Sequence, residues 1–254
     1  MHPIAERGFG ETVDAYRRSR PTYPPASVVW LAAALRIGPG ATVVDVGAGT
    51  GKLTALLEPR GPTLLAVEPL ESMRQAMADE LPGVAVVEGL AEALPLADAS
   101  VDAVVVGQAF HWFDLSRALP EFHRVLRPGG SLGVIWNELD TSRDWVADLD
   151  AIIAVPRTGT PHPSAARTAD LGGWFDRRRL HKFAHSHMHD RASLLDRVGS
   201  MSFIAVLPEP KRDSVLASVA ALVDSRPELD ANAFELPYVT VGFTARRSGH
   251  RGPR

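Results

Sequence analysis

Val43 to Lys52 reads VVDVGAGTGK, and the interpretation of this stretch decides the fold. A β-branched apolar run carries an acid, and three glycines then alternate with small residues. A strand ending in glycines brings backbone close to a neighbour, because no Cβ stands in the way. Two phosphate-binding templates can be tested on the spacing. A P-loop needs Gly-x4-Gly-Lys followed by Ser or Thr. Gly51-Lys52 could close it, but Val46 stands at the first glycine and Leu53 at the metal-binding hydroxyl. The dinucleotide fingerprint Gly-x-Gly-x-x-Gly accepts Gly47 and Gly49 but meets Lys52 at the third place. That third glycine serves close helix–strand packing, which lysine does not allow. A nicotinamide-dependent oxidoreductase is therefore kept only as an alternative.

What remains is Asp-x-Gly-x-Gly-x-Gly, formed by Asp45, Gly47, Gly49 and Gly51 on a strand-to-helix turn. This pattern suits S-adenosylmethionine, which lacks a pyrophosphate but carries an ammonium and a sulfonium. Asp45 supplies complementary negative charge, directly or through water. The glycines let the backbone pass beneath the nucleoside and amino-acid parts. Glu68 ends the next strand, where a carboxylate can accept protons from both ribose hydroxyls. The alternative is a plain tight turn with a surface acid.

Around this motif, short apolar runs alternate with amphipathic ones. Strands are expected at Thr42–Val46, Thr63–Val67, Val84–Val87, Val101–Val106 and Leu132–Trp136. Helices are expected at Val28–Leu35, after Thr50 as a cap, from Pro69 to Pro82, and after Asp114 with a kink at Pro120. Arg127-Pro128-Gly129-Gly130 is read as the turn before the fifth strand. Nearly uniformly apolar strands belong to a sheet covered on both faces. The fold class is thus α/β: a Rossmann-like, doubly wound, mostly parallel sheet of seven strands with a helical cap insertion. The weaker pattern of residues 137–199 is assigned to that cap, with a helix at Trp145–Val155. A strand at His181–His189 and helices at Ser193–Ser200 and Ser214–Asp224 follow. Tyr238–Ala245 is the last strand. The sheet domain comprises residues 28–136 and 200–246, preceded by a segment 1–27 and followed by a flexible basic tail, 247–254.

Composition narrows the function. The 254 residues are 45% hydrophobic and 22% charged, ordinary for a chain that buries a full core. A net charge of -3 provides no global basic field for nucleic acid or an anionic membrane. There is no cysteine, which removes disulfides, thiolate nucleophiles and cysteine metal sites. MHPIAERGFGETVDAYRRSR has no signal-peptide core, and no apolar run is long enough to span a bilayer. A cytoplasmic location and a small-molecule partner are expected.

Further landmarks are YRRSRPTYP ahead of the fold, GLAEALPLADASVDAV after the third strand, GQAFHWFD after the fourth and RVLRPGG before the fifth. With the glycine motif they make the chain similar to class I S-adenosylmethionine-dependent methyltransferases of the small-molecule group, akin to trans-aconitate methyltransferase. The resemblance covers nearly the whole chain. It implies a lid over the cofactor from the N-terminal segment, with Tyr16 and Arg20 facing it. Around Asp45, the glycines and Glu68, it implies a cofactor wall of Ala48, Pro69, Met73, Leu90, Ala91, Gln108, Ala109 and Phe110. The family often has Asp or Thr where this chain has Leu90, so the side-chain acceptor for the adenine amino group is missing here, and the Ala91 N–H is expected to read the ring edge with Leu90 packing on its face. Tyr23, His111, Trp112, Trp136 and Asn137 are assigned to the acceptor.

Methyl transfer is an in-line displacement that relies on alignment and exclusion of water. His111 is the candidate catalytic residue, as a base or a hydrogen-bonding group; the alternative is a loop cap that orients Trp112. His185, His187 and His189 share one strand face, a legitimate metal spacing, but without accompanying carboxylates no metal is assigned. The acceptor is expected to offer a carboxylate or hydroxyl oxygen. The alternative function is a catalytically silent S-adenosylmethionine-binding regulator.

Overall fold

The structure, a computed structural model, describes residues 21–157, 162–229 and 233–249. Tyr16, Arg20 and the rest of the expected lid ahead of Pro21 lie outside the described residues, as does the tail beyond Gly249. Seven strands form one sheet: β1 (Thr42–Val46), β2 (Thr63–Val67), β3 (Ala85–Val87), β4 (Val101–Gly107), β5 (Leu126–Leu139), β6 (Phe175–His189) and β7 (Phe234–Arg247). Their order is β3-β2-β1-β4-β5-β7-β6. The pairs from β3 to β5 are parallel, and β7 runs antiparallel to both β5 and β6. Each expected strand is present.

The alternation of side chains along a strand explains the layers. Val44 and Val46 enter one apolar cluster with Phe122 and Val125 of α4 (Leu115–Val125). Val43 enters a second, with Leu31 and Leu35 of α1 (Pro25–Leu35), Leu57 of α2 (Lys52–Leu57) and Met77 of α3 (Glu71–Glu80). Burying both faces is why these strands carry so little polarity. A third cluster joins α5 (Asp144–Ala154), α6 (Arg191–Gly199), α7 (Ser202–Ala205) and α8 (Glu209–Asp224) to Leu236 and Tyr238 of β7.

Several boundaries differ from expectation. Thr50 does not cap α2; Gly51 is the N-cap, with φ 82° and no side-chain bond, because the turn needs a left-handed residue there. Leu70, after Pro69, is the N-cap of α3. Asp114 does cap α4, accepting from the Ser116 N–H at 3.1 Å, and α4 continues through Pro120 as one helix. β5 starts earlier than expected: Leu126 pairs with Val101 and Ser131 with Ala103, so Arg127–Gly130 form an irregularity within the strand. Residues 137–199, expected as a cap, contribute to both the sheet and the helices beside it. β5 runs to Leu139 and β6 is the edge strand, while α5 and α6 share a core with α8 across the expected boundary. The tail also begins later: Arg247 closes β7, and Ser248 is buried with its N–H bonded to Trp174 O. No helix of the described residues is long and apolar enough to cross a membrane.

Candidate active site

The carboxyl ends of β1, β2 and β4 meet at an elongated cleft with two halves that share Gly47, Gly49, Gly107 and Gln108. Ligands of open α/β sheets bind at this edge. One half is walled by Glu68, Pro69 and Met73 from the β2 side, Leu90, Ala91 and Glu92 beyond β3, and Ala109, Trp112 and Phe113 beyond β4. The other is walled by Pro21, Tyr23, Asp45, Ala48 and Lys52.

Glu68 is locked by two backbone donors. Its Oε2 accepts from Gly49 N–H at 2.9 Å and its Oε1 from Leu70 N–H at 3.1 Å. These bonds tie the glycine turn to the end of β2 and leave further lone pairs of the carboxylate for a diol. Burial pushes the Glu68 pKa up, opposed by the Leu70 and Gly49 hydrogen bonds and by the Arg74 charge. Asp45 is buried beneath the turn, with Oδ2 accepting from Thr54 Oγ1 at 2.6 Å and Oδ1 without a partner. Burial raises its pKa to about 7; the Thr54 bond opposes the rise and the Glu68 charge adds to it. Two acids held upward by burial make a site that gains from a cationic ligand.

The glycines divide their roles. At Gly47, φ is 67°, and a Cβ would lie 2.8 Å from Ala109 Cβ and 3.2 Å from Phe113 Cζ. At Gly49, φ is 59°, yet a Cβ would meet nothing within 4 Å, so its free side faces open space. Gly51 lines neither half. A Cβ there would come within 2.9 Å of Met77 Cγ, so it permits close packing of α2 on α3.

The structure brings together Asp45, Gly47, Ala48, Gly49, Glu68, Pro69, Met73, Leu90, Ala91, Gln108 and Ala109, with Tyr23 and Trp112 on the same walls. Leu90 is 39% exposed, an apolar surface for a flat ring. Phe110 does not join them: it is buried in the core against Phe113 and Phe243. Trp136 is likewise a core residue, packed on Phe243 with its Nε1 donating to Glu138 Oε1 at 2.7 Å. His111 lies on the short turn Phe110–Trp112, half-buried, with its ring 4.9 Å from that of Trp112.

Asn137 does something sequence reasoning missed. Its Nδ2 donates to Pro21 O and Thr22 O at 3.3 and 3.1 Å, while its Oδ1 accepts from Thr240 Oγ1 at 2.6 Å. It ties the segment entering α1 to the β5–β7 pair. Gly107 and Thr54 were also missed. A glycine at a strand end was a legible signal: its Cβ would stand 3.0 Å from Tyr23 Oη. Thr54 had none, because its contact with Asp45 exists only once α2 packs on β1. Among the described residues, no group of three or more His, Asp or Glu side chains is arranged to hold a metal ion.

Comparison with known proteins agrees with this geometry. The family described as a methyltransferase domain matches residues 44–134. A Mycobacterium tuberculosis protein described as an uncharacterized methyltransferase is 42% identical over 236 residues, covering 92% of this chain and 93% of its own. A malonyl-[acyl-carrier protein] O-methyltransferase of Methylococcus capsulatus is 46% identical over 100 residues, 37% of this chain and 36% of its own. A crystal structure from Bacillus halodurans superposes with a TM-score of 0.60 at 19% identity, covering 87% of this chain and 98% of that one, and shares the fold.

Proposed function

We propose, for a chain that belongs to the class I S-adenosylmethionine-dependent methyltransferase family, transfer of a methyl group to an oxygen of a small-molecule acceptor. S-adenosylmethionine is its cofactor and supplies a methyl group activated by a sulfonium. The reading rests on the two buried acids flanking a glycine turn whose open side is free. Glu68 would hold the ribose hydroxyls, Leu90 and Ala91 the adenine, and Asp45 the positive end of the methionine part. Gln108 and Tyr23 close the methionine half, and Trp112 shields the other from water.

In the transfer, an acceptor oxygen forms a bond to the methyl carbon while the carbon–sulfur electrons stay on sulfur. A carboxylate oxygen needs no base, because it is already ionised at neutral pH; a hydroxyl must also lose its proton. A partial relative named an O-methyltransferase of a malonyl group favours the carboxylate.

Calorimetry with S-adenosylmethionine and S-adenosylhomocysteine is the test. Both should bind while NAD and ATP do not, and Glu68→Ala should weaken binding by about 1–3 kcal/mol, because the ribose hydroxyls lose their acceptor. Unchanged affinity in that variant would remove the cofactor assignment. With an acceptor in hand, His111→Gln should keep most of its turnover; a loss of about 10²–10⁴-fold would move the reading to a hydroxyl acceptor.

A further inference from the structure

The amino ends of the strands form a second groove, on the rim opposite the cofactor cleft. Asp102, near the start of β4, lines it, whereas Gly107 and Gln108 at the other end of that strand line the cleft. The groove is open, encloses about 650 Å³, and is walled by Arg36, Arg127, Arg177, Arg179 and Arg246. Asp102 is the one carboxylate among the described residues that line it. Its Oδ2 already accepts from Arg127 Nη1 at 2.6 Å and from the Thr42 N–H at 2.8 Å. Among the described residues, no ion pair involves the other four arginines. Asp176 stands opposite Arg246 in the ladder, yet it does not line the groove. Four uncompensated guanidiniums thus gather at one end of a chain whose net charge is -3.

The backbone is shaped to bring them there. Asp176 faces Arg246 and Arg179 faces Thr244, so β6 carries one extra residue against β7. Such a bulge re-aims side chains. Arg177 and Arg179 line the groove, while Arg178 between them lies 4.3 Å over the Phe243 ring. In the β5 irregularity, Gly129 has φ 84°, and a Cβ on it would stand 3.4 Å from Arg246 Nη2. Bare backbone there makes room for a guanidinium. Arg36 and Arg177 have φ of 56° and 51°, left-handed values that residues other than glycine rarely take. Among the described non-glycine residues only Ala99 and Gln108 share that region, and Gln108 lines the cofactor cleft. Folds retain such strain chiefly at functional sites.

The arginines are exposed, so one ion pair with any of them is worth little. A ligand must engage several at once. The row follows the sheet order β5-β7-β6, and strands about 4.8 Å apart spread it over about 10 Å. An extended peptide rises about 3.3 Å per residue, so roughly four residues cover that length. No aromatic side chain among the described residues lines the groove, which leaves nothing to stack a nucleobase. We propose that this groove docks an acidic, extended segment of a partner protein. Its Asp or Glu carboxylates pair with Arg36, Arg177, Arg179 and Arg246. The docking does not rest on the methyltransferase reading, and it leaves the cofactor cleft open at the opposite rim.

The test is fluorescence anisotropy of the full chain with a labelled peptide of about eight glutamates, longer than the row. A glutamine peptide of equal length, inorganic triphosphate and a single-stranded DNA are the comparison probes. The glutamate peptide should bind one to one, and weaken about tenfold or more as salt rises from about 50 to about 500 mM. The glutamine peptide should not bind. Arg179→Glu and Arg246→Glu should each weaken the glutamate peptide about 5–20-fold. Arg117→Glu, exposed on α4 outside the groove, should change it less than about twofold. Arg36→Gly suits the left-handed backbone, should weaken the peptide as well, and decides the matter if the strand variants do not fold. S-adenosylhomocysteine affinity should stay at the wild-type value in all of these variants. Equal binding of the glutamine peptide, or an equal loss in Arg117→Glu, would overturn the docking groove. So would triphosphate or DNA that binds more tightly than the glutamate peptide, which would give the arginines to a phosphate ligand. A wild type that binds the glutamate peptide but not S-adenosylhomocysteine would overturn the methyltransferase reading alone.

Discussion

Asp45 holds a proton that the unfolded chain would release, and this makes the cofactor-free protein sensitive to pH. Below about pH 4 folded and unfolded chains both keep that proton, and burial costs nothing. From the ordinary value of 3.8 up to about 7 the unfolded chain ionises first, so stability falls as pH rises and then levels off. The loss should reach roughly 2–4 kcal/mol, and Asp45→Asn should abolish most of it, which thermal melts from pH 4 to 8 would reveal. A cationic cofactor selects the ionised form. Its affinity for the wild type should therefore drop by up to about tenfold per pH unit below pH 7, and remain flatter in Asp45→Asn. A melting temperature independent of pH in the wild type would contradict the unpaired burial of Asp45. Asp45 and Glu68 were legible in the sequence because each sits at a strand end beside its glycine or proline punctuation. Arg36, Arg179 and Arg246 were not: along the chain each reads as one more surface arginine, and only the folded sheet brings them to one groove.

At the scale of elements, the unit β1–turn–α2 separates stability from binding. Gly47 combines a left-handed backbone with no room for a Cβ, so Gly47→Ala should cost about 2–4 kcal/mol in denaturant unfolding. Gly49 is left-handed over open space, so Gly49→Ala should cost about 1 kcal/mol of stability while cofactor affinity falls tenfold or more. Equal losses of stability in the two variants would refute that division. The strands were readable because burial on both faces forces uniform apolarity, and β1 and β2 match their expected bounds. The ends of β5, β6 and β7 were less so, since they extend through polar residues whose partners lie far along the chain. The burial of Phe110 and Trp136 was not readable for a related reason: aromatic residues near a strand end serve a core or a cleft equally well, and the sequence carries no mark of which.

Across the whole molecule, Asn137 joins three regions distant in sequence: the segment entering α1, the end of β5 and the middle of β7. Asn137→Ala strands two carbonyls and a hydroxyl and should cost about 1–3 kcal/mol. Because Pro21 and Tyr23 wall the methionine half, the same variant should loosen the cofactor and speed hydrogen exchange at Tyr23; unchanged exchange there would deny the coupling. The sheet order has a consequence for biosynthesis. Among the described residues β6 pairs with no strand but β7, which lies later in the chain and also completes the far side of β5. A growing chain can assemble β1 to β5 as they emerge, while the stretch carrying His185, His187 and His189 waits for a mate. Until β7 is delivered, that stretch is an open edge, the kind that chaperones cover and that neighbouring nascent chains can capture.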